Sequence, residues 1–173
     1  MMNTLVKSII ALSLALSLTS CLKDDEHFVD FASAGYVAEI PYAANRSVLK
    51  TVSVSATSPG TVAPVDVNIA SPNPPTQDIS VTMAIDQAAL TAYNTANNTA
   101  YTLLPATAFQ LTNPTVTVAA GQRIATVAIN LIGTQIPATG GPYAVPISIT
   151  TVPQNVIISA NYHTQILVIS RTQ

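Results

Sequence analysis

The 173-residue sequence has no tryptophan, one cysteine and few charges: Asp, Glu, Lys and Arg make up 8% of it, against roughly 25% in an ordinary soluble domain. Each shortage excludes something. A single cysteine, Cys21, rules out an internal disulfide, so the core must hold the fold. Beyond Asp86 the only charged side chains are Arg123 and Arg171, and the formal net charge is -2. No Lys/Arg cluster exists to neutralise a row of phosphates, which sets nucleic acid aside as a partner. Catalytic patterns are also missing: there is no Gly-x-Ser-x-Gly elbow, no His-Glu-x-x-His and no glycine-rich phosphate loop. Of the two histidines, His27 falls near the N-terminus, and His163 is read as an edge or surface residue at the start of a strand. Asp66, Asp78 and Asp86 resemble a carboxylate set for glycoside hydrolysis only superficially, and a strand surface position for Asp66 with strand and helix ends for the others accounts for them. The expectation is a non-enzyme with no metal and no cofactor.

What the chain does have is concentrated first at its N-terminus. Lys7 closes a short positive start, and Ser8 to Leu18 is an apolar run of signal-peptide length, too short to span a bilayer comfortably. The run ends on Leu18-Thr19-Ser20-Cys21. An apolar residue, two small ones and a cysteine resemble a lipobox, which implies that the thiolate is alkylated with diacylglycerol and the cysteine becomes the new N-terminus. Two or more acyl chains, at about 0.8 kcal/mol per buried CH₂, hold a protein on a membrane almost irreversibly. The expected organisation is therefore a lipoprotein signal peptide over residues 1–20, a lipidated tether over 21–34, and a single β-sandwich domain over 35–173. That length is enough for one core and leaves no room for a second full domain.

After Cys21 come Lys23, Asp24, Asp25 and Glu26. By charge alone this is a solvated tether without a metal-ligand geometry. It also resembles the acidic export signal of surface lipoproteins in Bacteroidetes. That resemblance implies an outer membrane lipoprotein on the cell surface, favoured over the periplasmic face.

The remainder alternates apolar and polar residues with the period of a half-buried strand. Val52 and Val54 alternate within 48–55, as do Val65, Val67 and Ile69, then Ile79, Val81, Met83 and Ile85. The pattern recurs at Val116 and Val118, at Ala125, Val127, Ile129 and Leu131, at Tyr143, Val145, Ile147 and Ile149, and in Ile166 to Ile169. Ser58-Pro-Gly60, Ser71 to Pro75, Asn113-Pro114, Ala120-Gly121 and Thr139 to Pro142 supply turn residues between them. The spacing predicts an all-β, immunoglobulin-like β-sandwich of about seven strands. One segment departs from it. Asp86 is a helix N-cap, and Gln87 to Asn94 predicts a helix of about two turns crossing one end of the sandwich.

The ordered set of Asp78 to Asp86, Leu90, Tyr93-Asn94, Tyr101, Leu104-Pro105, Phe109, Val116 to Val118, Gly121 and Tyr143 to Ile147 resembles a Bacteroidetes lipoprotein family, domain of unknown function 1735. Phe109 stands where a tyrosine is expected. The resemblance covers nearly all of the chain beyond Cys21. It implies the N-terminal β-sandwich module of surface lipoproteins that accompany glycan capture and degradation, often ahead of a carbohydrate-binding or glycosidase domain. Two functions follow as expectations. One is an accessory or glycan-binding module of a polysaccharide-utilisation system, partnered with the outer membrane through its lipid, and with a glycan or a surface glycan-uptake complex. The other is a structural or adhesive protein that binds a protein and no sugar. For the first, the candidate ligand patch is Tyr93, Asn94, Asn97, Asn98 and Tyr101: aromatic faces for sugar rings beside amides for hydroxyls. The competing reading has Tyr93 and Tyr101 packing the helix and loop onto the sandwich.

Overall fold

Alternation of apolar and polar residues produces strands that bury one face, and two such faces close on each other. The computed structural model describes residues 34–173. In chain order they form β1 (Tyr36–Glu39), α1 (Pro41–Asn45), β2 (Leu49–Ser55), β3 (Thr61–Ala70), β4 (Ile79–Ile85), α2 (Gln87–Asn97), β5 (Thr102–Leu103), β6 (Phe109–Leu111), β7 (Thr115–Val118), β8 (Ile124–Leu131), β9 (Tyr143–Thr151), β10 (Val156–Ile158) and β11 (Thr164–Thr172). One sheet runs β10-β1-β3-β8-β6 and the other β2-β11-β9-β4-β7, with β5 added beside β9. The fold is all-β: two sheets pack face to face, with α2 as the one substantial helix among the described residues.

The core lies between the sheets. From the first sheet it takes Val65, Val67, Ile69, Val127, Ile129 and Leu131; from the second, Val81, Met83, Val145, Ile147 and Leu167, all nearly inaccessible to solvent. β3 and β8 show the physics directly. They pair antiparallel with Val65 opposite Val127 and Asp66 opposite Thr126, so one register puts both valines inside and both polar residues outside. Burying each such valine or isoleucine contributes roughly 1.5–3 kcal/mol.

Seven of the eleven strands coincide with the alternating segments of the sequence. The other four, β1, β5, β6 and β10, are two to four residues long, are not marked by alternation, and are defined by the partner strands that pair with them. The helix also differs from expectation. It continues to Asn97, where Asn98 ends it in the left-handed conformation at φ 56°. Nor does it cross the sandwich end: it lies on the outer face of the second sheet, Leu90 packing with Ala144 of β9 and Ile166 of β11. The reason lies in those strands. β9 is buried from Ala144 to Ile149 and β11 from Gln165 to Leu167, so their outward apolar residues need a cover. Among the described residues no helix is long and apolar enough to cross a membrane.

Candidate functional site

The helix start is fixed by Asp86, the expected N-cap. Its Oδ1 accepts the Ala89 N–H at 3.0 Å, its Oδ2 accepts the buried Ser148 hydroxyl at 2.9 Å, and Ser148 in turn meets Thr164 Oγ1 at 2.7 Å. One carboxylate thereby starts α2 and ties it to β9 and β11.

The far end of the helix carries the predicted patch. Tyr93 and Tyr101 come together, their ring centroids 6.3 Å apart and their planes tilted by 45°, an ordinary separation for a stabilising aromatic pair. Both are half-buried and rest on Leu90, Ala144 and Ile166. Asn94 serves the loop. Its Oδ1 accepts from Thr99 Oγ1 at 2.9 Å and from the Tyr101 N–H at 3.0 Å, while its Nδ2 donates to the Tyr101 carbonyl at 2.8 Å. That amide is turned inward and holds Tyr101 in place. Asn97 and Asn98 are exposed on the rim, Asn97 donating through Nδ2 to the Tyr93 carbonyl at 2.9 Å. This end of the helix thus brings two half-buried tyrosine rings together with the exposed Asn97 and Asn98. It is uncharged.

The remaining candidates are dispersed. Asp78 accepts the Ala120 N–H at 2.8 Å and Asp66 the Thr126 hydroxyl at 2.6 Å. Asp78 and Asp86 flank opposite ends of β4, about 26 Å apart along an extended strand, against the roughly 5–9.5 Å that paired glycosidase carboxylates require. His163 bonds through Nδ1 to the Ser159 carbonyl at 2.8 Å, which puts its proton on that nitrogen. Among the described residues no three His, Cys, Asp or Glu side chains converge as metal ligands would. The expected signal peptide, Cys21, Lys23, Asp24, Asp25, Glu26 and His27 lie outside the described residues.

A feature the sequence does not announce is a cleft of about 490 Å³ between β7 and β8, lined by Val62, Thr115, Val116, Thr117, Thr126 and Asn130 among others, with no charged side chain. It opens where β6 leaves β8: the two pair only from Ile129 to Leu131, after which Asn113-Pro114 carries the chain across to β7 in the other sheet.

Two sheets packed face to face, with α2 over the outer face of the second, define the class as a β-sandwich module. Residues 31–156 match a protein family described as an N-terminal domain, and the chain belongs to that family, a module of the kind called DUF1735. No curated protein matches it. Solved structures share the fold at low identity. A candidate carbohydrate-binding protein from Bacteroides ovatus superposes with a TM-score of 0.61 at 13% identity, over 79% of this chain and 37% of that one. A multidomain protein including DUF1735, also from Bacteroides ovatus, gives 0.60 at 14% identity, over 80% and 46%. EndoBT-3987 of Bacteroides thetaiotamicron, solved with a Man5GlcNAc product, gives 0.58 at 22% identity, over 78% and 30%. This chain spans less than half the length of each of these three proteins.

Proposed function

We propose that this chain is a non-catalytic accessory module of surface glycan capture, held at the outer membrane by a lipid on Cys21 and sent to the cell surface by Lys23, Asp24, Asp25 and Glu26. The observation that carries the reading is the family match over residues 31–156. The likeness to a candidate carbohydrate-binding protein and to EndoBT-3987 with its Man5GlcNAc product supports the glycan context. Its sugar-facing element is the Tyr93–Tyr101 platform with Asn97 and Asn98. The tilted rings offer an apolar face to sugar C–H groups, and the rim amides offer donors and acceptors to hydroxyls. Asn94 positions that platform. Without charge, and with partly buried rings, it suits a neutral glycan held weakly.

A glycan array probed with the mature chain, wild type against a Tyr93→Ala, Tyr101→Ala double variant of verified fold, tests this. Binding to neutral oligosaccharides that the double variant loses at least tenfold is the expected result. Equal binding by both would move the site elsewhere. No binding by either, with a protein recovered from outer membranes, would favour the structural or adhesive role, a reading supported by the open strand edge at β7.

A further inference from the structure

We infer that β7 is a self-association edge, and that it pairs antiparallel with β7 of a second copy of this chain about a two-fold axis through Val116. Strand β7 is the last of its sheet and pairs on one side only, with β4. No described strand pairs with its other side, where Thr115, Val116 and Thr117 line the cleft that separates β7 from β8.

Alternation settles which main-chain groups face that opening. Met83 N–H donates to the Pro114 carbonyl at 2.8 Å, and Thr82 is opposite Thr115, Val81 opposite Val116. In an antiparallel pair the bonded residues alternate. Val116 and Val118 therefore bond toward β4, and the N–H and C=O of Thr115 and Thr117 point outward with no strand to receive them among the described residues.

Edges of this kind are normally blunted by charge, proline or shortness. Elsewhere the sandwich follows that rule. β6 and β10 have three residues each, β2 carries Lys50, and Lys50 Nζ reaches across to the Pro64 carbonyl at 2.7 Å on β3. Strand β7, Thr-Val-Thr-Val, is one residue longer than β6 and β10 and has neither charge nor proline within it. No charged side chain lines its cleft, and the Asp66 carboxylate beside it is occupied by the Thr126 hydroxyl.

The sequence of β7 is its own complement. A two-fold axis at Val116 sets Thr115 against Thr117 of the second copy, and Thr117 against Thr115. Both are pairs whose outward groups bond, giving four hydrogen bonds. A one-residue slip would face outward groups with inward ones and give none. Outside, threonine meets threonine as Thr82 Oγ1 already meets Thr115 Oγ1 at 2.9 Å. Inside, valine meets valine at the rim of the core. Four residues per copy make a small contact, so the dimer is weak in dilute solution, below the standard interface of roughly 1,600 Å², and gains from confinement on a membrane.

Cross-linking of the full-length chain in intact cells tests this, with wild type and a Thr51→Cys variant on the β2 edge as background. Val116→Cys places two thiols on the two-fold axis in a non-bonded pair, whose Cα separation of about 4.5 Å lies within disulfide range. Dimers cleaved by reductant are expected. Adding Thr117→Pro, which removes an outward N–H and no internal bond, lowers their yield at least about fivefold. Should Val116→Cys perturb folding, differently tagged chains with Thr115→Cys and Thr117→Cys, both exposed positions, give mixed dimers well above either alone. Cross-linking no stronger than that of Thr51→Cys, yields indifferent to Thr117→Pro, or no mixed dimers would overturn the proposal.

Discussion

At the scale of single residues, the heaviest duty in the sandwich falls to polar groups that hold backbone in place. Asp86 serves helix and sheet at once. Removing it with Asp86→Ala leaves the Ala89 N–H without its cap, about 1 kcal/mol, and takes the charged acceptor from the buried Ser148 hydroxyl, about another 1.5 kcal/mol. A loss near 2–3 kcal/mol is expected in urea unfolding, with Asp86→Asn losing less than half as much. Equal losses for the two would mean that charge, and not hydrogen-bond geometry, is what the site requires. Lys50 and Arg123 follow the same logic with carbonyl partners. Arg123 Nη1 donates to the Ser71 carbonyl at 2.6 Å and its Nη2 to that of Pro72 at 3.0 Å, clasping the proline-rich turn after β3. Gly133 has a steric role: a Cβ there would run into the Ser55 carbonyl oxygen, so the turn after β8 can lie against the end of β2 only with glycine.

At the scale of elements, α2 and its loop work as a lid over the second sheet, and Asn94 is the pin. Its three hydrogen bonds join Thr99 and Tyr101 to the helix. Asn94→Ala is expected to release that loop while the sheets stay intact. Amide exchange at Thr99 and Tyr101 would rise at least tenfold, corresponding to about 1.4 kcal/mol of local stability, with exchange in β8 and β9 unchanged. Uniform acceleration through the strands would instead make the loop part of the global folding unit. If the tyrosine platform binds glycan, the same variant weakens binding without touching an aromatic ring, because it frees Tyr101 from its position.

At the scale of the whole molecule, the described residues carry few charges and are held by one intersheet core, and the chain is proposed to be tethered at one end. Its anchor makes the prediction that belongs to this scale. Cys21→Ala should move the chain out of the membrane fraction and abolish labelling by a fatty-acid probe, leaving thermal stability unchanged, since Cys21 precedes every described strand. Retention in membranes after the substitution would show that something besides the lipid holds the chain there.

What the sequence determined by itself is what depends on neighbours along the chain. Alternation at Ile79 to Ile85 or Ala125 to Leu131 specifies a strand and its buried face, because successive side chains point to opposite sides whatever the partner. The cap at Asp86 and the turn residues at Gly60 and Gly121 are local in the same sense, and so were legible. The tyrosine patch was legible as a list of residues, but not the inward turn of Asn94, which depends on where the chain returns at Tyr101. The tertiary structure alone decided what depends on distant partners: the parallel pairing of β2 with β11, which joins Leu49 to Ile166, the short strands β1, β5, β6 and β10, and the placement of α2 over Ala144 and Ile166. It also decided that the chain leaves β8 at Leu111 to join β4 beyond Pro114, opening a cleft and a bare edge. A hydrophobic pattern says which face is buried. Which strand lies beside it, and which edge is left without one, follows only from closing the two sheets on each other.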